Sequence, residues 1–559
     1  MRRRPRRKTT RTKPEDQDTP MEFVTVVHRA ILSSGRWVYV YVALSSLGTL
    51  GVAILVNTVT DYDPVAGPDY ELFAAFILVC AITVVSRGET TRIMNAVGEG
   101  IAHHMRIQYA RLLKEADLVQ VEMIGQEKIK STLARNAQIL AESPAVLTQG
   151  VASAVTFVLA TIYVATLSLM AAVLVVALTA IVVLASRFRT QKAREAMAVG
   201  QAAERRFFDS FNSLLDGLPE ARMDRNRSED LFKNFLTVRA VSARSARLQA
   251  LDSMIAFGVL VFASFYLLLG SVTFITPQYV DSAATAMKIV YVSSVIWLLI
   301  EGLLRIMPTI LRGDAAFTEL RKLERQLKDI QHTEIVPSLS LPPFESLALN
   351  QLSYTYPTAE GGSDSFSIGP CDLTLSRGEI VFIVGGNGSG KTTLLRNLCR
   401  LYEPTSGAVF WNGMKITAAN AISYRQHISA IFASFHLFDR LYGHRDIPKE
   451  AVDSALDYVG LGGKTSYVDG KFTTLNLSTG QRKRLALAIA ILEDRDIMVF
   501  DEIAAEQDPE FRRRIYEEIL PDLKAKGHAV LVISHDERYF SQADRLYFME
   551  EGQLSLRSA

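Results

Sequence analysis

The chain has 559 residues, 49% of them apolar, a net charge of +2 and a mean hydropathy of +0.15. That length calls for more than one domain, the apolar share is high for a soluble protein, and the near-neutral balance gives no global field to attract nucleic acid. Cys80, Cys371 and Cys399 are scattered without metal-ligand spacing, which argues against a disulfide framework and against a cysteine-based metal module.

Residues 1–20 open with Arg2, Arg3, Arg4, Arg6, Arg7 and Lys8. This stretch reads as a disordered basic tail and cytoplasmic topology signal, because no apolar core of a signal peptide follows before Trp37. Six apolar spans are predicted at about 37–59, 72–90, 145–166, 168–188, 252–275 and 283–307, each close to the ~20 residues a membrane helix requires. Ala145 to Ser186 carries no charge at all. As one helix it would be roughly 63 Å long, twice a bilayer core, so it is divided near Thr166-Leu167-Ser168.

The segments 61–70 and 276–282 hold acidic residues but no Lys or Arg, whereas 87–143 and 187–250 are rich in both. The basic side is cytoplasmic by the positive-inside rule, which places both termini in the cytoplasm of a cell bounded by this membrane. Both long basic segments have helical periodicity, with turns expected near Gly125 and Gly217. Lys288 near the outer end of the sixth span can snorkel, and Glu301 four residues before Arg305 has ion-pair spacing. Tyr291 and Trp297 read as packing residues.

Residues 326–345 are a polar, Pro-containing linker, and from 346 short apolar strands alternate with helices, the pattern of an α/β domain. Within it, Gly385-Gly386-Asn387-Gly388-Ser389-Gly390-Lys391-Thr392 fits G-x-x-x-x-G-K-[ST], the phosphate-binding loop. The apolar run Ile380–Val384 precedes it as a strand, and Thr393–Leu398 follows as a helix. Glycines let the backbone wrap around phosphate oxygens, and the helix start turns free N–H groups toward the anion. Lys391 is placed to reach the β- and γ-phosphates and the Thr392 hydroxyl to ligate Mg²⁺. Asp501 ends a second buried strand, where its carboxylate can hold the same ion. Glu502 is next, placed to polarise an attacking water, and His535 ends a third strand within reach of a γ-phosphate. Leu477-Ser478-Thr479-Gly480-Gln481 begins another helix and offers a second anion site.

The phosphate loop, Leu477–Gln481, Asp501-Glu502 and His535, in that order, resemble the nucleotide-binding domain of ATP-binding cassette (ABC) transporters. Six spans ahead of one such domain resemble an exporter half-transporter. The expected fold is thus an all-α six-helix transmembrane domain at 21–325 fused to an α/β P-loop ATPase at 346–559. The resemblance implies ATP as substrate with Mg²⁺. It also implies two chains pairing head to tail, as a homodimer or a heterodimer, with each ATP between one chain's loop (with Thr393) and the other's Ser478, Thr479, Gly480 and Gln481. Tyr356 matches the adenine-stacking aromatic, with Tyr354 the weaker candidate, and Asp508 the aspartate that communicates between sites. The turns near Gly125 and Gly217 match coupling elements that dock on the ATPase.

Finer details, Gly-Gly-Asn-Gly-Ser-Gly-Lys-Thr-Thr, Leu-Ser-Thr-Gly-Gln-Arg-Lys-Arg and Ile-Ser-His-Asp-Glu-Arg-Tyr-Phe, resemble bacterial cyclic-peptide exporters of the syringomycin and pyoverdine secretion type. That implies export of a peptide-like metabolite or siderophore precursor across the inner membrane. One departure stands out: where most ABC domains carry a Mg²⁺-binding, transmembrane-sensing glutamine, this chain has Ala433. It keeps alive the rival reading of a regulatory, non-transporting ATP-binding subunit; a siderophore importer is the rival within the same class.

Overall fold

The computed structural model describes residues 22–34, 37–59, 69–275, 278, 282–328, 340–357 and 366–557. The basic tail, most of both acidic loops, residues 329–339 of the linker and the side chains of Glu301 and Arg305 lie outside them. The chain divides into two compact units. One combines residues 1–111 and 127–324, and the other combines 112–126 with 325–559.

The first unit is helical. Its helices are α1 (Glu22–Ser34), α2 (Trp37–Thr58) and α3 (Tyr70–Glu115). The short α4 (Leu118–Ile124) follows and groups with the other unit. Then come α5 (Gln126–Leu167), α6 (Leu169–Asp216), α7 (Leu218–Met223), α8 (Arg225–Asp230), α9 (Thr237–Phe274) and α10 (Ala283–Lys328). At 46 residues, α3 is about 69 Å long, more than twice a bilayer core. Among the described helices, Trp37–Thr58, Tyr70–Glu115, Gln126–Leu167 and the Ala283–Ile300 part of α10 are long and apolar enough to cross a membrane. The charge-free run 145–186 breaks at Ser168. There the backbone turns extended and the hydroxyl caps α6 by accepting from Ala171 N at 3.4 Å. Helix α10 continues through Lys328, so the first polar residues after 325, read from composition as linker, are helical. Val164, Val175, Val182, Val272, Ile289 and Ile296 form one core joining α5, α6, α9 and α10. Trp297 is buried there, 5.1 Å from the Phe265 ring. Helices α3 and α5 touch so closely that a Cβ on Gly98 would lie 1.9 Å from the Ala141 carbonyl oxygen.

Beyond the apolar stretches, Glu319 of α10 accepts from Arg135 and Asn136 of α5 at 2.9 and 3.0 Å and pairs with Arg205 of α6 at 3.3 Å. Burial works to raise its carboxyl pKa, but the bonds from Asn136 and Arg135 and the charge of Arg205 hold it below the usual range. A depressed carboxylate adds stability above its unfolded pKa, and that stability is lost as pH falls through the folded value. Glu319→Ala should therefore cost about 1 kcal/mol at neutral pH, discounted for solvent screening. The difference should vanish in acid, as read by melting temperature against pH.

The second unit is α/β. An antiparallel four-stranded sheet has the order β2 (Ser367–Ser376), β1 (Ser346–Thr355), β4 (Ser406–Trp411), β5 (Met414–Lys415). A six-stranded sheet runs β12 (Gln553–Arg557), β11 (Arg545–Glu550), β3 (Ile380–Val384), β10 (Ala529–Ile533), β9 (Ile497–Asp501), β6 (Ile428–Ile431). It is parallel except for β12. A two-residue pair, β7 (Tyr467–Val468) and β8 (Lys471–Phe472), stands apart. The unit's helices are α11 (Lys391–Leu398), α12 (Ala421–Arg425), α13 (Lys449–Tyr458), α14 (Thr479–Glu493), α15 (Pro509–Arg514) and α16 (Leu520–Ala525). Strands β3, β9 and β10 are buried at every residue, as their apolar runs, broken only by the terminal Asp501, require. Ile533 of β10 pairs with both Ile383 of β3 and Asp501 of β9. The three carboxyl ends thus lie side by side, where open parallel sheets place their ligands.

Candidate functional site

The loop after β3 is shaped by its glycines. A Cβ on Gly385 would lie 2.1 Å from the Met549 carbonyl oxygen, and Gly390, at φ +107°, would put one 2.6 Å from Ile368. Asn387 and Gly388 are exposed at the loop tip. Ser389 is buried and its hydroxyl has no hydrogen-bond partner, an orphan that a phosphate oxygen would satisfy. Lys391 is buried too, and its ammonium donates to the carbonyls of Gly385 and Gly386 at 2.9 and 2.8 Å. Burial pulls its pKa below the usual lysine range, opposed by the charges of Glu502 and Asp501. An anion that binds the loop meets this desolvated positive charge.

Thr392, the second residue of α11, is half-buried and donates to Asp501 Oδ2 at 2.9 Å. The backbone N–H of Ala433 reaches the same oxygen at 3.4 Å. Burial pushes the Asp501 carboxyl up, against these two bonds. A hydroxyl and a desolvated carboxylate side by side are hard oxygen donors suited to Mg²⁺, which takes one or two such ligands and completes its shell with phosphate and water. Among the described residues no three His, Cys, Asp or Glu cluster as a metal site. Ala433 adds a backbone donor and no side chain that could reach an ion.

Glu502 follows with φ +57°, an uncommon left-handed conformation for a non-glycine residue. Its Oε1 lies 3.2 Å from His535 Nε2. Phosphate loop, Asp501, Glu502 and His535 are therefore brought to one edge of the sheet.

Tyr354 and Tyr356 separate clearly. Tyr354 is buried, stacked 5.1 Å from the Tyr402 ring, with its hydroxyl unpartnered. Tyr356 is half-buried, and its hydroxyl meets Thr393 Oγ1 at 3.2 Å. Its ring is thus tied to the phosphate-loop helix. The same aromatic group meets α4: Tyr402 donates to Glu122 Oε2 at 2.6 Å, and Arg396 pairs with Glu122 at 3.3 Å and with the Tyr402 hydroxyl. Leu118 and Val119 pack on the core beneath. The segment ending at Gly125 thus belongs to the ATPase unit, whereas α7, after Gly217, groups with the helical unit.

Ser478 caps α14, accepting from Gln481 N at 3.3 Å while its own N–H donates to the Gln481 side chain at 3.1 Å, a reciprocal capping box. A Cβ on Gly480 would lie 2.7 Å from the Glu506 carbonyl oxygen. Gln507 donates to the Gly480 carbonyl at 2.9 Å. Asp508 caps α15 through Phe511 N at 2.9 Å and pairs with Arg484. The described side-chain hydrogen bonds of Ser478, Gly480 and Gln481 join Ser478 to Gln481 and Gly480 to Gln507, and none of them reaches the phosphate loop. Sequence reasoning missed Lys483, Arg484 and Gln507. Lys483 sits in an Arg482-Lys483-Arg484 run that looks like surface, yet it shares the i, i+4, i+7 buried face of α14 with Leu487 and Ala490.

This fold and site define a P-loop ATPase joined to a helical membrane region. Residues 368–505 match the family described as ABC transporter. The chain is 36% identical over 304 residues, 51% of its length, to "ATP-binding protein SyrD" of Pseudomonas syringae pv. syringae. The match spans 52% of that relative, so the chain spans about half its length. To "Arginine transport ATP-binding protein ArtM" of Bacillus subtilis it is 31% identical over 198 residues, 32% of this chain and 80% of ArtM. A solved structure titled as a bacterial Atm1-family ABC exporter with ATP bound superposes at TM-score 0.75 and 17% identity, covering 95% of both chains. The chain belongs to the ABC transporter family and has the exporter fold.

Proposed function

We propose that this chain is an ATP-driven exporter of a peptide-like metabolite, acting as a dimer with itself in a bacterial inner membrane with its ATPase unit cytoplasmic. The convergence of Lys391, Asp501, Glu502 and His535 on one sheet edge carries the reading, since it supplies phosphate binding, a metal donor pair and a base oriented by a histidine. Lys391 and the loop N–H groups hold the phosphates. When bound, Mg²⁺ neutralises phosphate charge, with Thr392 and Asp501 as its protein donors. Glu502 takes a proton from the attacking water, and His535 holds the carboxylate in place and faces the transferred phosphoryl group. Ser478–Gly480 serve the phosphates of the partner's site. The Glu122 contact with Arg396 and Tyr402 gives α4, covalently between α3 and α5, a grip on the phosphate-loop helix.

The motif details named above, which resemble cyclic-peptide exporters, favour a peptide-like cargo over the importer reading. The test is ATP-dependent uptake of a labelled cyclic peptide by inside-out vesicles: accumulation supports export, and accumulation in right-side-out vesicles instead would mean import. Tyr356→Ala should raise the KM for ATP about tenfold, the lower range of base stacking on an aromatic, with kcat little changed. Steady-state kinetics check it.

A further inference from the structure

We propose that Lys483 is a positioning residue for the hydrolytic step: it fixes the backbone of Glu502 and ties it to the anion-binding start of α14. The proposal rests on the reading of Glu502 as the base for ATP hydrolysis. Lys483 is buried, where lysine is rare unless its charge is answered. Its ammonium donates to the carbonyls of Glu502 and Ala505 at 3.1 and 3.2 Å. The N–H of Glu502 donates to the Ile533 carbonyl at 3.1 Å. The peptides on both sides of Glu502 are thus held, one by β10 and one by Lys483, around a residue at φ +57°. A residue in that conformation persists only where its surroundings over-determine it. With both peptides fixed, the side chain is directed to His535 at 3.2 Å.

Lys483 also stands less than a helical turn beyond Gly480. A second tie runs from Gln507 to the Gly480 carbonyl at 2.9 Å, and a third from Arg484 to the Gln507 side chain at 2.9 Å. Any shift of the start of α14 on meeting a phosphate therefore reaches residues 502–508 directly. In the paired arrangement that phosphate belongs to the partner's site, so Lys483 links the occupancy of one site to the placement of the base at the other.

The test uses the full chain in lipid, with Lys483→Met, Lys483→Arg and Glu502→Gln beside the wild type. We expect Lys483→Met to lower kcat for ATP about ten- to hundredfold, the scale of a misplaced catalytic group, with nucleotide affinity unchanged. Lys483→Arg, which keeps a charged donor of that reach, should recover part of the rate. Amide exchange across residues 502–508 should quicken in Lys483→Met. Turnover in the wild type that Glu502→Gln removes secures the hydrolysis reading independently. With that in hand, a Lys483→Met chain with wild-type kcat, or with affinity lost in step with rate, overturns the Lys483 assignment alone. Unchanged exchange across 502–508 overturns it whatever the chain hydrolyses.

Discussion

Glu502→Gln lowers kcat for ATP hydrolysis by about 10²–10⁴-fold, the share a positioned general base supplies, while ATP still binds. The amide keeps the size and backbone of the glutamate, so the left-handed turn at φ +57° and the β10 bond to Ile533 are retained. What is lost is proton affinity at the atom 3.2 Å from His535 Nε2. The proposed nucleotide contacts are on Lys391, Ser389 and Tyr356, so affinity measured with a fluorescent nucleotide should match the wild type. Single-turnover hydrolysis beside that titration separates the two quantities. A variant with near-normal turnover would remove Glu502 from the mechanism.

Lys391→Ala acts at the opposite end of the reaction and weakens ATP binding about 10- to 150-fold, the worth of a charged hydrogen bond. The ammonium is desolvated and already bridges the Gly385 and Gly386 carbonyls at 2.9 and 2.8 Å. Its removal takes away both the charge that meets the phosphates and the brace that holds the loop open. Lys391→Arg should not restore affinity, because a planar guanidinium does not fit a buried pocket cut for a point charge. Equilibrium titration with ATP checks both variants, and unaltered affinity in Lys391→Ala would contradict the loop assignment.

The phosphate edge was legible from sequence because each of its parts is local. Gly385 to Thr392 is one contiguous motif, and Asp501 and His535 follow apolar runs whose burial on both faces leaves a parallel strand as the natural reading. The break at Ser168 was likewise visible in a charge-free run too long for one bilayer. What the sequence hid are contacts that cross the chain. Lys483 lies between two arginines, and only the register of α14 against residues 502–505 turns it inward. Glu122 meets Arg396 and Tyr402 from more than 270 positions away, and nothing in its own helix marks it. Tyr354 and Tyr356 are two residues apart, so alternation could not divide them. The stacking of Tyr402 on Tyr354 did, by burying one and leaving the other beside Thr393. Ala433 is a different case: the missing side chain was plain from sequence, but that its backbone N–H meets Asp501 required the structure.

The central claim is that one kind of chain makes a complete ATP-hydrolysing site by pairing with itself. ATP turnover by this chain purified alone in lipid vesicles tests it most directly. The expected result is Mg²⁺-dependent hydrolysis that disappears in Glu502→Gln and rises steeply with the density of chains in the vesicle. Bound ATP without turnover at any density would contradict it, and would make this chain one half of a site completed by a different subunit.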